Sequence, residues 1–182
     1  MLNLMLKTNT RKITYCALFA ALTAILSQIV IPIGPVPVNL ATFAVFCAGA
    51  MLGSKWGAFS MFIWAALGLC GVPVFHLFQS GIGTLAGPTG GYIIGYIPAA
   101  YVSGLGFRRG APRFAWFFMF LAACIYFILG TLWFMFSTNT RLFEALTLCV
   151  FPFIPGDLLK IIAAVFVTKH HKKPPAVRPG PP

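Results

Sequence analysis

The feature that most constrains this chain is a set of three long stretches without a charged side chain. Residues 13–54, 56–107 and 114–140 contain no Asp, Glu, Lys or Arg. A helix needs roughly 20 consecutive apolar residues to cross about 30 Å of hydrocarbon. The first two stretches are each long enough for two such helices, so the pattern predicts a chain that crosses a membrane several times.

The composition supports the same class of protein. Of 182 residues, 59% are hydrophobic and 8% are charged, whereas soluble domains carry about 25% charged residues. The net charge of +11 is divided into short clusters between apolar stretches, with no basic face that could follow a phosphate backbone. We therefore expect a lipid bilayer as the surroundings and no nucleic-acid partner.

Glycine and proline clusters divide the apolar stretches into six predicted spans. The last span is interrupted at Pro152 and Pro155, and a glycine-rich connection, residues 71–88, precedes the fourth. The first predicted span, residues 13–31, is longer than the apolar core of about 7–15 residues in a signal peptide, so we expect it to be retained in the protein. The sequence predicts an all-α, polytopic membrane protein with six transmembrane helices in one compact bundle over residues 1–168. The spans are 13–31, 39–52, 56–69, 90–106, 114–136 and 142–167.

The distribution of basic residues predicts the orientation. Of the 13 Lys and Arg, the six-span division leaves Arg141 outside and Lys160 within a span, and puts all the others on the cytoplasmic side. We expect a multi-pass protein of the bacterial inner (plasma) membrane with both termini cytoplasmic. Residues 169–182 are basic and proline-rich, which predicts a disordered cytoplasmic tail whose His170 and His171 are solvated.

Motifs of enzymes and of cofactor sites are missing from the sequence. Glu144 and Asp157 are the two acidic residues, and neither HExxH nor GxSxG occurs. The five cysteines lie in separate apolar segments without a CxxC. We expect no enzyme, no metal and no cofactor, so uphill transport would need an ion gradient or another chain.

Two charges inside the last span are the strongest candidates for a binding site. Asp157 and Lys160 are three residues apart and share one helix face. Each charge costs about 2.5–3.5 kcal/mol at the middle of a bilayer, so it needs a partner or a polar cavity. Pro155 and Gly156 could leave free backbone N–H groups there. A binding site and a purely structural ion pair are both consistent with this pattern.

Two further features are candidates for function. The stretch 75–92 contains Gln79 and Thr89, and its length is typical of a lid, although a solvated loop has the same composition. Small residues at a spacing of four allow close helix approach, either within the chain or against a partner. These are Ala17/Ala21, Ala20/Ala24, Gly49/Gly53 and Gly87/Gly91/Gly95.

Six segments in order resemble the BioY family, the biotin-specific S-components of energy-coupling-factor (ECF) importers. The resemblance covers nearly all of residues 13–168. The segments are 17–24 (ALFAALTA), 33–38 (IGPVPV), 71–75 (GVPVF), 87–92 (GPTGGY), 129–133 (LGTLW) and 155–160 (PGDLLK).

The resemblance implies six helices, a biotin pocket near the outer face and no ATPase of its own. Its expected partners are a transmembrane coupling subunit and two ATPase subunits, although action alone or as a homo-oligomer stays open. It implies a docking surface at Ala17, Ala20, Ala21 and Ala24. The substrate-binding residues that it favours are Asp157, Lys160, Gln79, Thr89, Gly90, Gly91, Tyr92 and Asn39.

Biotin has the chemistry that such a site could bind. Asp157 can accept from the ureido N–H groups, while Lys160 either neutralises the carboxylate or holds Asp157 ionised. Two segments depart from the family pattern: 39–41 (NLA) lacks an expected glutamine, and 76–80 (HLFQS) is bulkier than usual. A different small vitamin, a biotin precursor, or a scaffold without a ligand are the alternatives.

Overall fold

Most of the chain is helical in the computed structural model, which describes residues 2–31, 36–107 and 114–171, with side chains from residue 10 to residue 168. Two short strands, β1 (Val30–Ile31) and β2 (Val38–Asn39), pair antiparallel. The helices are α1 (Leu2–Ser27), α2 (Ala41–Leu52), α3 (Ser54–Leu69), α4 (Gly81–Ala86), α5 (Gly90–Leu105), α6 (Ala115–Thr138), α7 (Leu142–Cys149) and α8 (Ile154–His171).

The helices differ in their capacity to cross a bilayer. Within the described ranges, α6 is the one single helix that is long and apolar enough, with a mean hydropathy of 2.2. Helix α7 and the part of α8 up to Thr168 meet that criterion together, as a pair bent by 51°. Helices α2, α3 and α5 have 12 to 16 residues, or about 18–24 Å at 1.5 Å per residue. The mostly helical fold is confirmed, and the count of six spans stays a prediction.

The connections contain more regular structure than the sequence predicts. The expected connection 71–88 includes a 3₁₀ turn, His76–Phe78, and the six-residue helix α4. The β1–β2 ladder, with Val30 opposite Asn39, is too short to give an alternating pattern in the sequence. The proposed domain boundary after residue 168 falls inside α8, and residues 172–182 of the expected tail lie outside the described residues.

Helix α5 lies at the centre of the bundle. It packs most extensively against α6 and also contacts α2 and α3, while α8 packs mainly on α2. Alanines such as Ala48, Ala99 and Ala100 are fully buried, and their small side chains bring the helix backbones close together. This close packing brings the first turn of α8 against the start of α2.

Glycines make the crossing of α2, α3 and α5 possible. A Cβ atom at Gly49 would collide with Ser103 and with the backbone oxygen of Ala100, and one at Gly104 would collide with the backbone of Ser54. Gly53, the predicted packing partner of Gly49, has a different role. It ends α2 with φ +85°, a conformation that favours glycine.

The crossing predicts a strong effect of a side chain at Gly49. We expect Gly49→Val to destabilise the protein by about 1–3 kcal/mol, because the backbone atoms of Ala100 and Gly104 lie too close and cannot rotate away. A thermal unfolding scan in detergent should show a midpoint several degrees lower. Gly83→Ala is the matched control, since a Cβ atom there meets nothing within 4 Å; equal midpoints for the two variants would contradict the close crossing.

Candidate functional site

Asp157 and Lys160 form a buried ion pair in the first turns of α8. The Lys160 Nζ atom lies 2.8 Å from Asp157 Oδ1, and the two residues are 8% and 3% exposed. The four-residue break between α7 and α8 lets α8 start inside the bundle. The sequence suggested free N–H groups at this break, but the amide of Asp157 donates to the carbonyl of Phe153 at 2.9 Å.

The ammonium of Lys160 is fully hydrogen-bonded by the protein. It donates to the backbone oxygen of Asn39 at 2.6 Å, to Thr42 Oγ1 at 3.0 Å and to Asp157 Oδ1 at 2.8 Å. A lysine ammonium has three donors, so none is left over. Of the two roles that the sequence left open, this geometry favours the one in which Lys160 pairs with Asp157 over direct binding of a ligand carboxylate.

The carboxylate of Asp157 is oriented by side chains from three helices. Oδ1 accepts from Lys160 and, at 3.2 Å, lies within hydrogen-bond distance of the Thr42 hydroxyl. Oδ2 accepts from the hydroxyl of Tyr126 on α6. A carboxylate has about four lone-pair positions, so the group can still accept from a ligand while it is held in place.

A small cavity of about 40 Å³ lies against this ion pair. Its floor is formed by α8 and the start of α2, and its walls by aromatic side chains of α3, α5 and α6. Residues 74–79, which we call the roof loop, contribute two side chains that cover it. The lining residues are Ser27, Val36, Pro37, Asn39, Thr42, Trp64, Phe75, His76, Thr89, Tyr92, Ile93, Tyr96, Tyr126, Phe153, Asp157 and Lys160.

The walls of the cavity are rigid and aromatic. Trp64 and Tyr96 stack with centroids 5.7 Å apart, and the rings of Trp64 and Phe75 meet edge-on at 5.2 Å. Tyr96 also contacts Tyr126 edge-on at 5.8 Å. Such a wall binds a compact apolar ring system, and the carboxylate at the floor selects a ligand with N–H donors.

An outer cavity of about 500 Å³ adjoins the inner one. His76 and Thr89 line both cavities and thus form the boundary between them. The outer cavity is lined by His76, Gln79, Ser80, Gly83, Thr84, Gly87, Pro88 and Thr89.

The roof loop is attached to the end of α1 by polar side chains. Ser27 Oγ donates to the carbonyl of Val74 at 2.6 Å, and the Gln28 side-chain amide donates to the carbonyl of Phe75 at 2.9 Å. The amide of Phe78 donates in return to Gln28 Oε1 at 2.9 Å. Leu77 and Phe78 have φ values of 53° and 58°, a strained conformation that this attachment maintains.

The predicted binding residues fall into three groups. Five line the inner cavity: Asn39, Thr89, Tyr92, Asp157 and Lys160. Gln79 lines only the outer cavity.

The third group consists of two glycines, which lie outside the lining of both cavities. A Cβ atom at Gly90 or Gly91 would collide with its surroundings, including the side chain of Trp133 on α6. The Trp133 indole in turn donates to the carbonyl of Gly87 at 3.0 Å. These glycines therefore fix the start of α5 against α6.

The four alanines of α1 face different directions. Ala17 and Ala21 are exposed, whereas Ala20 is 2% exposed and Ala24 is half-buried. Helix α1 contacts α2 and α3 through the buried side. The first pair is therefore accessible to a partner, and the second pair packs within the chain.

Sequence reasoning missed several site residues. Thr42, Trp64, His76, Tyr96 and Tyr126 all line the inner cavity, and none was singled out for binding. Tyr126 carried a signal, because it is the one hydroxyl-bearing aromatic residue in the Phe-rich α6. The others depend on packing between distant segments.

A larger cavity of about 530 Å³ lies on the other side of Asp157, between α6 and the α7–α8 pair. Its lining includes exposed apolar side chains such as Phe120, Ile128 and Leu158. Among its described lining residues, the polar side chains are Asp157, Thr131 and Cys124. A polar ligand therefore finds a better set of partners in the inner cavity.

Two known proteins to which this chain is similar in sequence share one description. The "Probable biotin transporter BioY" of Pyrococcus horikoshii is 39% identical over 161 residues, which cover 88% of this chain and 96% of the relative. The "Biotin transporter BioY" of Thermotoga maritima is 34% identical over 165 residues, covering 90% and 96%. These relatives are named as transporters.

A solved structure shares the fold. The S-component for biotin from an ECF-type ABC transporter superimposes with a TM-score of 0.85 at 29% identity, covering 92% of this chain and 94% of that one. The model of the BioY family matches residues 2–175. The chain therefore belongs to the BioY family.

Proposed function

We propose that this chain captures biotin and takes it up as the substrate-specific component of an ECF-type importer. The observation that carries the proposal is the buried Asp157–Lys160 pair at the floor of an aromatic cavity. The relatives and the solved neighbour that are named for biotin support the same ligand.

The floor of the cavity fits the ureido end of biotin. A ureido N–H group donates to the remaining acceptor position of Asp157, whose charge strengthens this hydrogen bond to about 1.5–3 kcal/mol. The fused rings pack against the aromatic wall of Trp64 and Tyr96, and the apolar chain extends towards Phe75. Lys160 stays paired with Asp157 and makes no direct contact with the carboxylate of biotin.

Ligand entry requires the roof loop to move. Pockets for small molecules have volumes of roughly 300–1,000 Å³, and the inner cavity has about 40 Å³. The roof loop can open by breaking the hydrogen bonds of Ser27 and Gln28 and the bond at 3.1 Å from the Trp64 indole to the Val74 carbonyl. Capture then consists of entry from the outer cavity, closure of the roof and burial of the ligand.

The membrane arrangement that we propose has six spans: α1, α2, α3, α5, α6 and the broken α7–α8 pair. Both termini lie in the cytoplasm, and the outer cavity faces the outside. The basic residues on the cytoplasmic side support this orientation. Short helices such as α2 fit a span whose ends are surrounded by polar connections and neighbouring helices.

The energy for uptake comes from other chains. We propose that a transmembrane coupling subunit and two ATPase subunits assemble with this chain, because the solved neighbour belongs to an ECF-type ABC transporter. The exposed Ala17 and Ala21 form a flat strip on α1 against which a partner helix can pack closely.

Replacing the carboxylate should abolish tight binding. We expect Asp157→Ala to lower the affinity for biotin about 10- to 100-fold, because the charge-assisted hydrogen bond to the ligand is lost. Isothermal titration of the purified protein in detergent measures the change. Glu144→Ala is the matched control, since Glu144 is the other carboxylate of the chain and is exposed; it should bind like wild type.

A second variant separates binding from folding. Asp157→Ala leaves Lys160 buried and unpaired, which can cost about 3–5 kcal/mol of stability. The double variant Asp157→Asn/Lys160→Met removes both charges, so it should unfold at a temperature close to that of wild type and still fail to bind biotin. Retained binding in this variant would refute the site.

The alternative ligand is another small vitamin or a biotin precursor, which the bulky segment 76–80 favours. Competition for bound radiolabelled biotin distinguishes the two. We expect biotin and desthiobiotin, which share the cyclic urea, to compete, and cationic thiamine to have no effect. Stronger competition by a ligand without a urea would show that the site binds that ligand in preference to biotin.

The docking strip predicts an assembly defect without a binding defect. Ala17→Trp or Ala21→Trp should prevent co-purification with the coupling subunit, because a large side chain separates the helices, while biotin binding by the isolated protein persists. Ala163→Trp, on the exposed face of α8, is the control. Equal co-purification of all three variants would exclude α1 as the docking face.

A further inference from the structure

His76 is an ionisable side chain of the inner cavity that the chemistry above leaves without a role. It lies on the boundary between the two cavities, is 9% exposed, and lines both. Within the described part of the chain, its imidazole has neither a charged neighbour nor a hydrogen-bond partner, and burial alone lowers its pKa. A polar ring in this position is oriented towards whatever occupies the cavities.

The floor of the inner cavity cannot accept a ligand carboxylate. Lys160 uses its three donors on Asn39, Thr42 and Asp157, and Asp157 itself repels a second carboxylate. A ligand that donates to Asp157 at one end must therefore place an acidic group at the other end of the cavity. The roof loop lines the same cavity and carries no acidic side chain that would repel this group.

The roof loop holds His76 at this position through its neighbours. Leu77 and Phe78 have left-handed backbone conformations and exposed side chains, whereas His76 between them and Phe75 remains buried. The bonds of Gln28 to the backbone of Phe75 and Phe78 lie on either side of it. His76 is therefore placed by the closed roof and leaves the boundary when the roof opens.

We propose that His76 forms a carboxylate subsite at the boundary of the two cavities, where it binds the acidic end of the ligand and closes with the roof over it. This subsite rests on the proposed function and specifies its ligand further: a cyclic urea at one end and a free carboxylate at the other. Thr89, which lines the same boundary, is placed to donate its hydroxyl to the same group.

The subsite couples binding to proton uptake. Burial lowers the pKa of free His76, and a bound carboxylate raises it again. Between these two pKa values the complex holds one more proton than the free protein, so affinity rises as the pH falls and becomes constant below the lower value.

Few other ionisable groups face the two cavities. The remaining titratable groups around the described cavities are Tyr92 and Tyr96 on α5, Tyr126 on α6, and the Asp157–Lys160 pair on α8. A solvated tyrosine titrates near pH 10, which lies above the range of pH 6 to pH 8 used in the test below. The described linings contributed by α1, α3 and the outer cavity contain no further titratable group besides His76.

The test compares biotin with biotinamide, its uncharged carboxamide, from pH 8 to pH 6. An aliphatic carboxylate with a pKa near that of glutamate, about 4.3, stays ionised throughout this range. For wild type we expect biotin affinity to rise roughly 3- to 10-fold, with at most about ten-fold per pH unit for one proton. Biotinamide affinity should stay constant.

Two variants complete the test. His76→Gln should remove the pH dependence and reduce the preference for biotin over biotinamide at pH 6 by the same factor. The double variant His170→Gln/His171→Gln, which changes the other two histidines of the chain, should behave like wild type. Biotin binding that is independent of pH in wild type, or an equal loss for both ligands in His76→Gln, would overturn the subsite.

Different results would refute the His76 subsite and the proposed function. If no cyclic urea binds to wild type at any pH, biotin capture itself is refuted. If biotin binds, depends on Asp157 and does not distinguish carboxylate from carboxamide, only the role of His76 is refuted.

Discussion

The ion pair between Asp157 and Lys160 is the interaction on which the rest of the structure depends. Two buried charges in an apolar helix bundle are stable only when each has partners at hydrogen-bond distance. The start of α2 supplies Thr42, β2 supplies Asn39, and α6 supplies Tyr126. The break before α8 and the short β1–β2 ladder therefore both serve the pair, because they bring these partners within reach of α8.

Most of that arrangement cannot be read from local sequence. Asp157, Lys160 and the adjacent Pro-Gly break are evident, because charges are rare in apolar stretches and proline interrupts helices. Thr42 is 115 residues from Asp157 and Tyr126 is 31 residues away, so neither follows from a periodic pattern. The same holds for α1, where the spacing identifies two alanine pairs but only the packing on α2 and α3 shows that Ala17 and Ala21 are the exposed ones.

Helix boundaries were predicted best where glycine or proline clusters border a long apolar stretch. Glycines and the following apolar run place α5 within one residue of its predicted span, and α6 within two residues. The connection before α5 was less predictable, since a six-residue helix and a 3₁₀ turn have little periodicity. The family segment 87–92 led to Gly90 and Gly91 as binding residues, and the packing gives them contacts with Trp133 instead of a place in the cavity lining. Any effect of Gly90 and Gly91 on a ligand therefore acts through the position of α5 against α6.

The two ends of the inner cavity differ in how their charges are balanced. At the floor, Asp157 is neutralised inside the protein, so a neutral N–H donor can bind there without bringing a charge into the membrane. At the roof, the proposed subsite has a neutral His76 that takes up a proton from solvent when the ligand carboxylate binds. The cavity then holds a charged ligand without any net unpaired charge, which avoids a cost of several kcal/mol for a buried ion. A permanent cation at position 76 would incur that cost in the empty protein, and a histidine does not.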